Sequence, residues 1–540
     1  MQLSTKGVVI GAVATIAVAG AAYGSYALTQ HRMDAASGHS ASAPKVYPPP
    51  TSVEVRSTAD AFLTAWSSGD IQRAAGLTNG ATQAAGQLAA FRTAFHATSL
   101  TLTPKPARGA EVPFTVRALF RYDGQPSTWS YDSSLTVTRD GEGRPAVKWT
   151  PSVVYPTLGA GQSLAVAAAV PPPVTVADRN GNPLSGTRFP SLSGIIEQLK
   201  ARYADKLHGT PGKAIVERGT DGKPGPTLHA LTQPRAGRPL PTTIDPRMQA
   251  EAEKEITTKG PDASLVAIQP STGAILAVAD NPASGYDKAL MGTYASGSTF
   301  KVITASTLLS TTPYTPGSAL ACPKTITYGG RSFHNVEMMQ IGAATLADDF
   351  AASCNTAFIS TAGIMPDGTV EQEARNVFGI GLDWSVGVPS FDGSVPATSG
   401  AQKAMTYIGQ GPVQMNPLTM ASVAATARSG VFHQPYLVPR SVDGRKFAQA
   451  PSRLSPQVDS DIQSMMRLTA RQGTAAPTIG SLPGDVGAKT GTAEVDGQTN
   501  PNSWFIAYRG DFAAAAVVPN TGEGYKFAGP IVTAVLQAAQ

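Results

Sequence analysis

Between Gly7 and Leu28 the chain carries no charged residue and is built largely of Val, Ile, Ala and Gly, with Lys6 before the run and His31-Arg32 after it. The run is long enough to cross a hydrocarbon core of about 30 Å, and a lone segment in lipid satisfies its backbone polar groups only as a helix. A secretory signal would have a shorter apolar region of about 7 to 15 residues, although small residues near Ala27 resemble a cleavage site. The uncleaved anchor is the reading adopted. No Cys lies near enough to carry a lipid, and the small excess of N-terminal charge orients the helix with its N-terminus inside. Residues 1–28 are therefore expected to form a short cytoplasmic tail and a transmembrane anchor, with everything beyond them extracytoplasmic.

At 540 residues the chain exceeds one ordinary core, so three exported parts are expected. A 42% hydrophobic content with 15% charged residues is enough to bury large cores. The net charge is +5, yet Lys and Arg are scattered without a basic run, which argues against a nucleic-acid partner. Two cysteines, Cys322 and Cys354, complete the inventory. In an exported protein they can be a disulfide or two buried thiols, and the residues leave both readings open.

Residues 29–51 end in Tyr47-Pro48-Pro49-Pro50 and read as an extended linker. From 52 to 156, Ala61, Phe62, Ala65 and Trp66 mark an amphipathic helix, followed by alternating runs such as Phe114–Phe120, Leu135–Val137 and Val147–Trp149. This is a small α+β domain that gathers no nucleophile, base and oxyanion donor. From 157 to 235 the signals are mixed: a turn at Asp178-Arg179-Asn180-Gly181, a helix over Ser193–Leu207, then a break at Gly209-Thr210-Pro211-Gly212. This segment reads as a connecting domain. From 236 to 540 strands and helices alternate, beginning with a helix over Gln249–Ile256 and a hairpin of Ser264–Ile268 with Ala274–Val278.

Three short elements in this last region carry chemistry. Gly297-Ser298-Thr299-Phe300-Lys301 opens an apolar helix, and the spacing of three sets Ser298 and Lys301 one turn apart on one face. A serine hydroxyl needs a base, and lysine serves as one only if burial or a neighbouring cation lowers its pKa. The helix N-terminus adds N–H groups and a positive dipole end. By itself the pattern is common, and Ser42-Ala43-Pro44-Lys45 is a proline-broken decoy. The second element, Ser353-Cys354-Asn355, reads as a polar loop between apolar helices, either a helix cap or a hydroxyl and an amide able to relay a proton and hold a peptide carbonyl. The third, Lys489-Thr490-Gly491-Thr492, reads as a strand with both threonines on one side. Two hydroxyls there can bind a carboxylate, Gly491 lets a peptide lie against the backbone, and Lys489 supplies the second cation. A strand at Trp504–Tyr508 follows.

Ser-x-x-Lys, Ser-x-Asn and Lys-Thr-Gly in this order resemble the signature of penicillin-binding proteins and class A β-lactamases. Thr243-Ile244-Asp245, Gly273–Ala277, Ile408-Gly409-Gln410-Gly411 and Pro417-Leu418 extend the likeness to the penicillin-binding transpeptidase domain over 236–540. With an anchor, the Asp178–Gly181 turn and no transglycosylase domain ahead, the chain is similar to class B, monofunctional members, and 157–235 to their dimerisation or pedestal module, a label that establishes no dimer. Residues 52–156 resemble the NTF2-like domain of the MecA type, through Ala61–Asp70 and Trp149-Thr150-Pro151. The abundance of Ala and Gly points to a high-GC, actinobacterial source. The implied fold is multidomain α+β, ending in a β-lactamase-like domain whose antiparallel sheet is packed by helices.

The resemblance implies Ser298 as the acylated nucleophile, Lys301 as its base, Ser353 and Asn355 as relay and clamp, and Lys489, Thr490 and Thr492 as the carboxylate site. Backbone N–H groups of Ser298 and Thr492 would form the oxyanion hole. It implies peptidoglycan stem peptides ending in D-Ala-D-Ala and β-lactam antibiotics as ligands, no metal or organic cofactor, and a glycosyltransferase partner for the anchored chain. If Cys354 bonds Cys322, the second motif is stapled. Tyr294-Ala295-Ser296 stands where many relatives have proline. The alternatives are a β-lactam sensor or class D-like β-lactamase, which usually carry valine where Asn355 stands, and a non-catalytic scaffold of a wall-building complex. Glu371 and Glu373 do not fit a class A deacylating pattern and read as a solvated helix face.

Overall fold

The computed structural model describes residues 46–260, 262–283 and 285–539. The anchor expected at 7–28 and most of the linker lie outside them. Among the described residues no helix is long and apolar enough to cross a membrane. The chain divides into two compact units, one of residues up to 168 with 213–232, the other of 169–212 with 233 onward. The segment 157–235 is thus shared between them.

In the first unit, helix α1 (Ser52–Ser68) starts at Thr51, whose side chain accepts from the Glu54 N–H while Glu54 reaches back, a capping box. It ends at Gly69, left-handed with φ 87°. Its inner stripe holds Val55, Ala59, Phe62, Leu63 and Trp66, all buried, as their helical spacing predicts. Helices α2 (Ile71–Gly76) and α3 (Ala81–Thr93) lead to an antiparallel sheet of β1 (Ala97–Pro104), β2 (Glu111–Tyr122), β3 (Gln125–Arg139) and β4 (Pro145–Val147), paired in that order. Val112, Phe114, Val116, Ala118 and Phe120 alternate inward along β2 against Trp66 and Phe91. Asp123-Gly124, both with positive φ, close the β2–β3 hairpin in the two-residue turn that matches strand twist. A second sheet pairs β5 (Ser163–Ala168), β6 (Lys213–Arg218) and β7 (Pro224–Ala230).

The second unit begins with α4 (Ser193–Leu207) and α5 (Pro246–Lys259), the latter capped by Asp245 with Pro246 in its first turn. Its centre is a five-stranded antiparallel sheet of β8 (Ser264–Ile268), β9 (Ile275–Asp280), β10 (Val486–Ala493), β11 (Asn502–Arg509) and β12 (Phe512–Val518), in spatial order β9-β8-β12-β11-β10. Both faces are covered, so the inner strands β8 and β12 are almost wholly apolar rather than alternating with polar residues, while the edge strand β10 carries Lys489, Thr490 and Thr492. Leu265, Leu276, Phe505 and Ala514 meet α5 and α11 (Ala528–Ala538) on one face. Val266, Val278, Ile506 and Ala515 join the core beneath α6 (Lys301–Thr311), α9 (Pro417–Ser429) and α10 (Pro456–Arg471) on the other. Two short helices of that core, α7 (Leu346–Ala352) and α8 (Asn355–Ser360), flank the second motif. The order leaves β10 at the edge of the sheet, facing the ends of α6 and α7.

Candidate active site

Ser298 sits in a single 3₁₀ turn, Gly297–Phe300, that runs on into α6. Gly297 has φ +54°, and a Cβ there would lie 2.5 Å from Thr492 O, so only glycine lets the turn press against β10. Its N–H donates to Gly409 O at 2.9 Å. Lys301, fully buried, reaches back with Nζ 2.9 Å from Ser298 Oγ. The same nitrogen is 2.8 Å from Ser353 O and 2.7 Å from Asn355 Oδ1.

The second motif is the joint between two helices. Ser353 ends α7 in a left-handed conformation, φ 61° and ψ 35°, which is unusual for serine, and Cys354 precedes the first residue of α8. The joint is held from outside by Asn335, buried, whose Oδ1 accepts from the N–H groups of Asn355 (2.8 Å) and Thr356 (3.0 Å). Its Nδ2 donates to Pro323 O, Met339 O and Thr356 Oγ1 at 2.8–3.0 Å. Cys322 and Cys354 form a disulfide directly behind it. Asp349 lies with a carboxylate oxygen within 4.8 Å of these sulfurs, but joined sulfurs offer a metal no thiolate.

The third motif lies on β10. Lys489 Nζ donates to Ser353 Oγ at 2.8 Å and to Thr490 O at 3.0 Å, so Ser353 touches both lysines, one through its carbonyl and one through its hydroxyl. Thr490 and Thr492, of equal parity on the strand, both line the cleft. A Cβ on Gly491 would lie 2.8 Å from Thr299 Cγ2 and 2.9 Å from Trp504 Cβ, so glycine here lets the Ser298 turn pack on the strand. Trp504 Nε1 donates to Ala295 O at 2.9 Å and ties β11 to the segment before Ser298.

Burial disfavours the charged form of an amine. It lowers Lys489 to about 7. It lowers Lys301 well below the usual lysine range, helped by the charge of Lys489 and opposed by Asp349. A neutral Lys301 has two N–H bonds, and the oxygens of Ser353 and Asn355 can only accept them. Its lone pair is then left for Ser298, the one of its three partners that has a proton to give. The hydrogen-bond pattern thus makes Lys301 a base toward Ser298 once it sheds its charge.

All three motifs open on one cleft of about 890 Å³, lined by Ser298, Ser353, Asn355, Thr490 and Thr492. Sequence reasoning did not find Asn335, nor Thr474, whose hydroxyl is 2.6 Å from that of Thr490. Neither lies in a patterned segment, so nothing short of the fold brings them in. Gln410, in the run Ile408–Gly411, faces the backbone of Glu494; in the amide orientation that satisfies both groups it donates to the carbonyl at 3.2 Å and accepts from the N–H at 2.9 Å. The solvated face expected for Glu371 and Glu373 is not what folds. Glu371 is buried and accepts from Thr398 Oγ1 at 3.1 Å, and Glu373 accepts from Ser306 Oγ on α6. Tertiary packing covers the side of Val370, Glu371 and Ala374 on a helix (Thr369–Asn376) whose own sequence is polar.

The family described as penicillin binding protein transpeptidase domain matches residues 263–537, and that described as NTF2-like N-terminal transpeptidase domain matches residues 54–162. The chain is 31% identical over 376 residues to the peptidoglycan D,D-transpeptidase PbpA of Mycobacterium tuberculosis, a stretch that covers 57% of this chain and 73% of that protein. Among solved structures it is similar to penicillin-binding protein A of M. tuberculosis in its penicillin G acyl-enzyme complex. The identity there is 27% and the TM-score 0.50, with 56% of this chain and 82% of that one covered. Pseudomonas aeruginosa PBP2 shares the fold at 21% identity and a TM-score of 0.55, over 69% of this chain and 96% of that one.

Proposed function

Because the chain belongs to the penicillin-binding protein transpeptidase family, with an NTF2-like N-terminal domain, we propose that it is a class B serine D,D-transpeptidase that cross-links peptidoglycan stem peptides. The observation that carries this is the buried Lys301 amine, 2.9 Å from Ser298 Oγ, with its other contacts both to pure acceptors.

Ser298 Oγ attacks the carbonyl of the D-Ala-D-Ala bond while Lys301 takes its proton. The oxyanion forms between the backbone N–H groups of Ser298 and Thr492. Ser353 hands its proton to the leaving amine and takes one from Lys489, to which its hydroxyl is bonded, and D-Ala departs. An amine of a neighbouring stem then attacks the ester; its proton passes through Ser353 back to Lys489, and Lys301 returns the proton it took to Ser298 as the serine leaves. Lys489, Thr490 and Thr492 hold the donor's terminal carboxylate, Asn355 clamps a peptide carbonyl, and the backbone at Gly491 offers the donor a strand edge. A β-lactam offers the same carbonyl and carboxylate and acylates Ser298 by the same steps, but its ester hydrolyses slowly without a base to activate water.

The uncharged run Gly7–Leu28 supports a single-pass anchor with the catalytic domain extracytoplasmic, and residues 52–156 and 157–235 serve as NTF2-like spacer and pedestal for a complex that includes a glycosyltransferase. Fluorescent penicillin labelling of the wild type and of Ser298→Ala tests the enzymatic reading. A stable adduct on the wild type alone, with D-Ala released from a stem-peptide mimic, is expected. Equal labelling of both proteins, or none on the wild type, overturns it, and rapid loss of the adduct would make the chain a lactamase.

A further inference from the structure

The short contact between Thr474 and Thr490 has no role in the cycle above. Thr474 follows α10, and its backbone N–H donates to Ala351 O at 3.0 Å, on the helix that ends in Ser353. Its Oγ1 is 2.6 Å from Thr490 Oγ1, at the short end for two hydroxyls. Both residues line the cleft that holds Ser298. Thr490 is buried, and its carbonyl accepts from the Lys489 ammonium.

Each hydroxyl has one proton and two lone pairs, so a bonded pair uses one proton internally and keeps one to give. A carboxylate only accepts, and it is bound best by protons already aimed at it. Left alone, the Thr490 hydroxyl rotates among its staggered positions, and some of them turn its proton away from the cleft. A fixed donor behind it removes that freedom. Either hydroxyl of the pair can give the proton, and Thr474 is placed to do so, because its backbone is tied to α7 and its oxygen already sits at hydrogen-bond distance.

Resting on the transpeptidase reading, we propose that Thr474 is a positioning residue for donor recognition: its hydroxyl donates to Thr490 Oγ1 and so aims the Thr490 proton at the terminal carboxylate of the donor. Thr474 acts through Thr490 and makes no contact of its own with the substrate. It also couples the carboxylate site to the helix that carries Ser353, since one residue is bonded to both.

The test compares product release from an N-acyl-D-Ala-D-Ala donor and from its C-terminal methyl ester, followed by mass spectrometry, with the full-length protein. The readout is the preference for the free acid. Thr474→Val is expected to reduce that preference about tenfold, the value of one hydrogen bond to a charged group, and Thr474→Ser to restore it. In a Thr490→Val background the further change Thr474→Val is expected to do nothing more. An unchanged preference in Thr474→Val, a failure of Thr474→Ser to restore it, or an added loss in the double variant overturns the inference. If Thr474→Val does not fold, Thr474→Ala replaces it with the same expectations. A wild type that neither labels with penicillin nor releases D-Ala overturns the enzymatic reading and this inference together, whereas an active wild type with any of the three results above overturns the inference alone.

Discussion

Asp349 is fully buried on α7, and among the described residues neither of its carboxylate oxygens has a hydrogen-bond partner. Burial, then the charge of Asp348, raises its carboxyl from 3.8 to about 7, against the pull of Lys301. Between about pH 4 and pH 7 the folded chain therefore holds a proton that the unfolded chain has released, and stability falls as pH rises through that window. At about 1.4 kcal/mol per pH unit, the full displacement, with the pull of Lys301 already included, is worth about 4 kcal/mol. Asp349→Asn keeps the shape and removes the titration. Below about pH 4 the carboxyl is protonated in both states and costs nothing, so the variant's advantage over the wild type is absent there and grows to a few kcal/mol by about pH 8. Urea unfolding of the two proteins, followed by tryptophan fluorescence at a series of pH values, reads this difference. A second readout is catalytic: without a negative charge near Lys301 its ammonium is harder to keep, so the acid limb of the penicillin acylation rate moves to lower pH in the variant. A stability difference that stays constant from about pH 5 to pH 8 would refute the reasoning, because Asp349 would then be ionised throughout and satisfied in the folded chain.

Gly297→Ala places a Cβ 2.5 Å from a carbonyl oxygen at φ +54°, so penicillin labelling of Ser298 is expected to slow at least about tenfold, read as an acylation rate. Asn335→Ala leaves the N–H groups of Asn355 and Thr356 without their acceptor, and each lost partner costs about 1–3 kcal/mol; thermal unfolding should show the loss and acylation should slow as Asn355 loosens. Trp66→Ala empties the centre of the first core, where the ring is 1% exposed and bonded through Nε1 to Leu88 O, for an expected loss of about 3–5 kcal/mol in the unfolding transition of that unit.

Much of this could be read along the chain because it depends on neighbours in sequence. Helix α4 spans Ser193–Leu207 and strand β8 spans Ser264–Ile268, as their periodicity predicts. Ser298 and Lys301 meet because a spacing of three is one helical turn, and Thr490 and Thr492 share a face because a strand alternates. The family signature goes further than periodicity, since it carries three separate motifs into one cleft without saying how they touch.

What the sequence by itself determined is therefore local: which segments turn into helix or strand, which residue types are set one turn or two residues apart, and which family they resemble. Only the tertiary structure decided that Ser353 faces both lysines, that Asn335 and Thr474 brace the site from segments with no pattern of their own, and that Glu371 is buried while the half-buried Glu373 accepts from Ser306. The physical reason is that burial and hydrogen bonding between distant segments are properties of the packed chain. A lysine loses its charge because of what surrounds it in space, and nothing within a few residues of Lys301 or Lys489 says that it will.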